Sequence, residues 1–125
     1  MAVERPAALD PRALDALRAL QRPGGPDIAG NVVRTYLSHA PQLLATLREA
    51  VNNGNAAGIR QAAHTFKSSS ANVGAMTLAG FCKELEAMGR AQTLAHATQV
   101  LLQLEEEYTR VTAALAMIPQ AVRVS

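Results

Sequence analysis

Ala62-Ala63-His64-Thr65-Phe66-Lys67-Ser68-Ser69-Ser70-Ala71-Asn72-Val73-Gly74 carries an apolar stripe and a polar stripe along one helix, with a histidine on the polar one. At about 100° per residue, Ile59, Ala63, Phe66, Ser70 and Val73 fall within roughly 40° of a common direction, which makes that side the core face. His64 lies about 140° from that direction, with Arg60, Lys67 and Ala71 at roughly 80° to 120° and Ser68 near 180°. The imidazole should therefore point to solvent, with Lys67, Ser68 and Ala71 beside it on the helix surface. A nucleophile next to a cation, among short side chains, suits phosphoryl transfer. The ammonium offsets charge on a transferring phosphate, and small neighbours let a second protein bring its own active site close.

The rest of the chain is consistent with one helical domain. Its 125 residues are 49% apolar, enough for a core without staples, and only 3% aromatic, while the abundant alanine favours helices over sheets. A formal charge of +2 argues for a basic patch rather than a nucleic-acid surface. The single Cys82 excludes an intramolecular disulfide and provides no pair of metal ligands. Three dispersed histidines, His39, His64 and His96, make no metal site. No apolar run approaches a membrane span and the start lacks a signal-peptide layout, so the expectation is a cytoplasmic chain without membrane insertion, alone or as the cytoplasmic part of a membrane-bound hybrid kinase.

Residues 1–10 read as a flexible leader, 11–118 as a helical bundle and 119–125 as a frayed tail. Asp10-Pro11 gives an N-cap and a proline at the first helical position, opening a short helix over 11–21. Arg22-Pro23-Gly24-Gly25-Pro26 breaks the chain. Asp27 caps a helix over 27–40 that His39 ends, and Pro41 opens another over 41–53, which Asn52-Asn53-Gly54 terminates. Asn55 caps the histidine helix, 55–72, stopped by Gly74. A helix over 75–89 with Leu78, Cys82 and Leu85 on one stripe ends at Gly89. Leu94, Ala97, Leu101, Leu104, Tyr108, Val111, Leu115 and Ile118 alternate steps of three and four, giving a long closing helix over 93–117.

His64, Lys67, Ser68, Gly74 and Ala75, followed by Leu78, Cys82 and Leu85-Glu86, resemble the core of the histidine-containing phosphotransfer (HPt) domains of multistep two-component signalling. The pattern there is roughly H-x-L-K-G-S-S-x-x-x-G-A, then L, C and L-E. Ser68 stands for the common glycine and Phe66 for the common leucine. The resemblance covers roughly residues 27–117 and implies an all-α, antiparallel four-helix bundle. It also implies a histidine phosphotransfer function: His64 takes a phosphoryl group from the aspartate of one receiver domain and passes it to another. In that reading the Nε2 atom attacks, Lys67 stabilises the phosphoryl oxygens, and Glu86 accepts the proton-bearing Nδ1. Arg60, Ser68, Ala71, Lys83 and Arg90 would meet the partner. The chain would be a monomer and no autonomous enzyme, with no cofactor of its own and Mg²⁺ held by the receiver, since no Gly-rich nucleotide loop or carboxylate cluster is present.

On this reading the 41–53, 55–72, 75–89 and 93–117 helices form the bundle, and the additional N-terminal helices cap its end near His64. Cys82 is a buried small hydrophobe, and Ser70 bonds back to the preceding turn. Two other functions fit a helical histidine. In a sensor-kinase dimerisation domain an acidic residue follows the histidine and a proline comes soon after, whereas here Thr65 and Ser69 to Ala71 stand there. In a helical adaptor the histidine is incidental.

Overall fold

The computed structural model describes residues 6–118. Five helices follow one another: α1 (Pro11–Ala19), α2 (Ile28–Asn52), α3 (Ala56–Asn72), α4 (Met76–Ala91) and α5 (Ala97–Ala116). There is no strand among the described residues. The fold is all-α, and short links at 53–55 and 73–75 hold consecutive helices antiparallel. The α3 helix packs against α4 and α2, α5 closes on α4 and α2, and α1 touches α2 and α3.

The helix starts follow from local chemistry. Side chains of Asp10, Asp27 and Asn55 accept from the amides of Arg12, Gly30 and Gly58, each at 3.0 Å, satisfying donors a helix start leaves open. Gly74 ends α3 with φ +83°, a left-handed conformation in which a side chain is strained. Its carbonyl accepts from the Asp10 amide at 2.7 Å.

The expected break at Pro41 is absent: 27–40 and 41–53 are one helix, and His39 lies in its interior. An internal proline lacks an amide donor and crowds the carbonyl four residues back, at a cost of about 3 kcal/mol. Here Pro41 is exposed, while Val33, Tyr36, Ala40, Leu44, Leu47 and Val51 bury one unbroken stripe across it. Burial on both sides outweighs the proline. The N-terminal helices therefore do not cap an end near His64. Instead, α2 lies lengthwise along α3, and α1 sits at the Gly74 turn, about 15 Å along α3 from His64.

Two other boundaries shift. The α4 helix does not end at Gly89 but runs to Ala91, and Gln92 takes the left-handed cap position with φ 58°. Gly89 serves packing: a Cβ there would stand 2.6 Å from the Ala56 carbonyl oxygen and 2.8 Å from the Arg60 amide nitrogen. The closing helix begins at Ala97, so Leu94 precedes it. Residues 6–10, expected as leader, pack Ala8 and Leu9 on the core, and the Pro6 carbonyl accepts from Arg110 at 2.8 Å. The rest of that expected leader and the 119–125 tail lie outside the described residues.

Ile59, Ala63, Phe66, Ser70 and Val73 are all fully buried, as the stripe predicts. The Phe66 ring lies between Tyr36 at 6.4 Å and Tyr108 at 5.9 Å, joining α2, α3 and α5. Ser70 does not bond to the preceding turn. Its hydroxyl pairs with the buried Tyr36 hydroxyl at 3.0 Å, a polar contact between α2 and α3 inside the core.

Gly89→Ala forces the new methyl onto the backbone of α3. We expect a loss of about 1–3 kcal/mol, read as a lower urea midpoint with helical circular dichroism retained. Cys82 is buried with its thiol pushed up to about 12, chiefly by burial. It should resist a thiol reagent at pH 8 until the protein unfolds.

Candidate functional site

His64 stands midway along α3 with 62% of its side chain exposed, and opposite it on α4 the Glu86 side chain is only 6% exposed. The two helices meet through the tight turn at Gly74 and Ala75, and both residues lie eleven positions from Ala75 along their helices. Gly89, set against the α3 backbone, draws the helices close enough for a short side-chain bridge one turn away.

Three donors converge on the Glu86 carboxylate. Its Oε2 accepts from His64 Nδ1 at 2.8 Å and Arg90 at 3.2 Å, and its Oε1 accepts from Lys67 Nζ at 2.5 Å. The Lys67 bond, foremost, and the His64 bond hold the Glu86 carboxyl below its usual range, against the opposing effect of burial. A carboxylate has no proton to give, so Nδ1 carries a hydrogen, and in the neutral ring Nε2 holds the lone pair. The arrangement fixes the exposed imidazole in orientation through a buried anion at Nδ1.

The serines beside it are turned inward. Ser68 Oγ donates to the His64 carbonyl at 3.3 Å and Ser69 Oγ to the Phe66 carbonyl at 3.2 Å. Ser68 remains exposed and Ala71 half-buried. Arg60 and Arg90 share with His64, Gln61, Thr65 and Glu86 an open cleft of about 530 Å³. Lys83 is exposed on α4 and is not among the residues lining this cleft. On the other flank of His64, Val32, Tyr36 and Leu43 of α2 form a mostly apolar groove of about 380 Å³ with Thr65 and Ser69.

The sequence reading gives Gln61 no role, uses Thr65 only to set the chain apart from a sensor-kinase domain, and does not contain the α2 groove. The groove requires α2 to continue through Pro41, for which the uninterrupted apolar stripe was the available signal. Gln61 had its position one turn before His64 as its only signal. Among the described residues no cluster of side chains could hold a metal ion, and no helix is long and apolar enough to cross a membrane.

The family model of the Hpt domain matches residues 31–114. The chain belongs to this family. Among solved structures it is similar to histidine-containing phosphotransfer protein B (HptB) from Pseudomonas aeruginosa PAO1, at 33% identity, covering 87% of this chain and 91% of that one with a TM-score of 0.79. No curated protein matches the sequence. The protein is thus an HPt domain, a histidine phosphotransfer module of two-component phosphorelays, and such domains interact with receiver domains. Both the HPt match and the structural neighbour extend over the helices that carry His64, Lys67 and Glu86.

Because the Glu86 carboxyl sits below its ordinary value of 4.5, its network stabilises the fold fully above that pH. The contribution is lost as pH falls through the depressed folded value. The stability difference between the protein and Glu86→Gln, measured by urea unfolding, should be largest near neutral pH and shrink progressively below pH 4.5.

Proposed function

We propose that His64 is the phosphoacceptor of this HPt domain and relays a phosphoryl group between receiver-domain aspartates. The observation that carries the reading is the Nδ1 to Glu86 bond of 2.8 Å on an otherwise exposed ring, which leaves Nε2 as the nucleophile. The Nε2 lone pair attacks the phosphorus of an aspartyl phosphate, the N–P bond forms and the P–O bond to the aspartate breaks. The electron pair departs with that carboxylate. The Nδ1 proton stays on the ring, and the positive charge that develops there is met by the Glu86 anion. Return to a second aspartate reverses these steps.

Lys67 acts at this site by holding Glu86 and by adding positive potential one turn from the histidine. Mg²⁺ would be held by the receiver and would offset charge on the transferring group there; among the described residues this chain offers no carboxylate cluster for it. The protein works as a monomeric cytoplasmic relay without ATP chemistry of its own. The partner sits over His64, with the α2 groove on one flank and the Arg60 and Arg90 cleft on the other. Small surface residues, Ser68 and Ala71, let its loops approach. The neutralising cations Arg60, Lys83 and Arg90 complement the acidic pocket of a receiver.

Two alternatives make different claims. A sensor-kinase dimerisation domain requires a dimer, and an adaptor does not need the imidazole. The decisive experiment incubates the protein with a labelled, Mg²⁺-loaded receiver. We expect acid-labile label on the wild type and none on His64→Gln, with transfer to Lys67→Ala slowed about tenfold, and a monomer mass by sedimentation. Equal labelling of His64→Gln, or no labelling by any receiver that binds, overturns the relay reading.

A further inference from the structure

We propose that Arg60 and Gln61, on the α3 turn that precedes His64, are the donors that bind the non-bridging oxygens of the phosphoryl group on His64. The inference rests on the reading of His64 as phosphoacceptor and adds two residues that touch the transferred group.

Three observations converge. First, two cations near His64 are already engaged: Lys67 is held on Glu86 Oε1 at 2.5 Å and Arg90 on Oε2 at 3.2 Å. Drawing either away exposes a buried carboxylate to loss of a partner, which is costly. Second, side chains on a helix lean toward its N-terminus, so the His64 ring covers the turn containing residues 60 and 61 and not the turn of Ser68. Arg60 and Gln61 accordingly line the same cleft of about 530 Å³ as His64. Third, the Arg60 guanidinium and the Gln61 amide have no acceptor among the described residues. Both are exposed, and both are ready to donate without breaking an existing bond.

The position of Arg60 is set by the packing of the bundle. A Cβ on Gly89 would stand 2.8 Å from its amide nitrogen and 3.1 Å from its Cβ, so α3 and α4 touch at this residue and the cleft has a fixed floor. An arginine there offers several N–H donors in a planar fork suited to phosphate oxygens, and the glutamine amide adds two more. During transfer the N–P bond forms as the P–O bond to the receiver's aspartate breaks, and charge spreads over the three equatorial oxygens. Donors carried by α3 itself meet that charge without help from the partner, so they also hold the phosphoryl group once the receiver has left.

The test is made on Arg60→Ala and Gln61→Ala, with Arg22→Gln as a control that removes an exposed arginine elsewhere. Each protein is phosphorylated by a receiver, freed of it, and examined by ³¹P resonance over a pH titration. The equilibrium share of phosphoryl between receiver and His64 is measured alongside. We expect both α3 variants to shift the phosphohistidine ³¹P resonance, to raise the pH at which it titrates, and to lower the share on His64 about threefold to tenfold. Arg22→Gln should match the wild type. Unchanged ³¹P titration and unchanged equilibrium in both variants overturn the inference, and so does slower transfer at low receiver concentration alone, which assigns the residues to docking. A wild type that accepts no phosphoryl group fails the relay reading itself, a distinct result.

Discussion

A carboxylate shut away from water between two helices is the constraint on which this structure turns. Removing Glu86 from solvent costs several kcal/mol unless its charge is met, and three donors meet it: the His64 imidazole, the Lys67 ammonium and the Arg90 guanidinium. Each comes from α3 or α4, so the register between these helices and the orientation of the imidazole are settled together. A one-residue slip of α3 against α4 would separate the anion from His64 and Lys67, leaving only Arg90 of its own helix. The orientation of the imidazole is consequently a property of the bundle rather than of a loop, and it is set on the most extensively packed helix pair.

Much of this was legible in the sequence, and what was legible was local. Asp10, Asp27 and Asn55 announce helix starts because a cap acts within three residues, and the burial of Ile59, Phe66 and Val73 follows from one helical period. What the sequence reading lost depends on neighbours distant along the chain. Pro41 resembles a helix start until the buried stripe on both sides is weighed. Gly89 resembles a helix end until the α3 backbone is set against it. Ser70 resembles a residue bonding within its own helix until Tyr36 arrives from α2. The pairing of Glu86 with His64 was reached through likeness to the HPt core, since no periodicity within one helix links α3 to α4.

The two flanks of His64 differ in character. Toward α4 the surface is cationic, with Arg60 and Arg90 around an open cleft. Toward α2 it is mostly apolar, with Tyr36, Val32 and Leu43. In the proposed relay, a partner seated over the imidazole would meet charge on one side, which governs approach, and apolar area on the other, which governs residence. Phe66 lies beneath both flanks, and its aromatic contacts with Tyr36 and Tyr108 give the α3 surface a rigid support.

Pro41 divides α2 in a way that its continuous axis conceals. Lacking an amide hydrogen, it leaves the Leu37 carbonyl without its helical donor, so the helix crosses this point with one backbone hydrogen bond fewer than elsewhere. Both segments share the work on either side of it: Val32, Tyr36 and Leu43 border the groove beside His64, and Val33, Ala40, Leu44 and Leu47 enter the core. The weak point is therefore local: amide protection should dip around Leu37 to Pro41, while the buried side chains on either side keep both halves of α2 seated on the bundle.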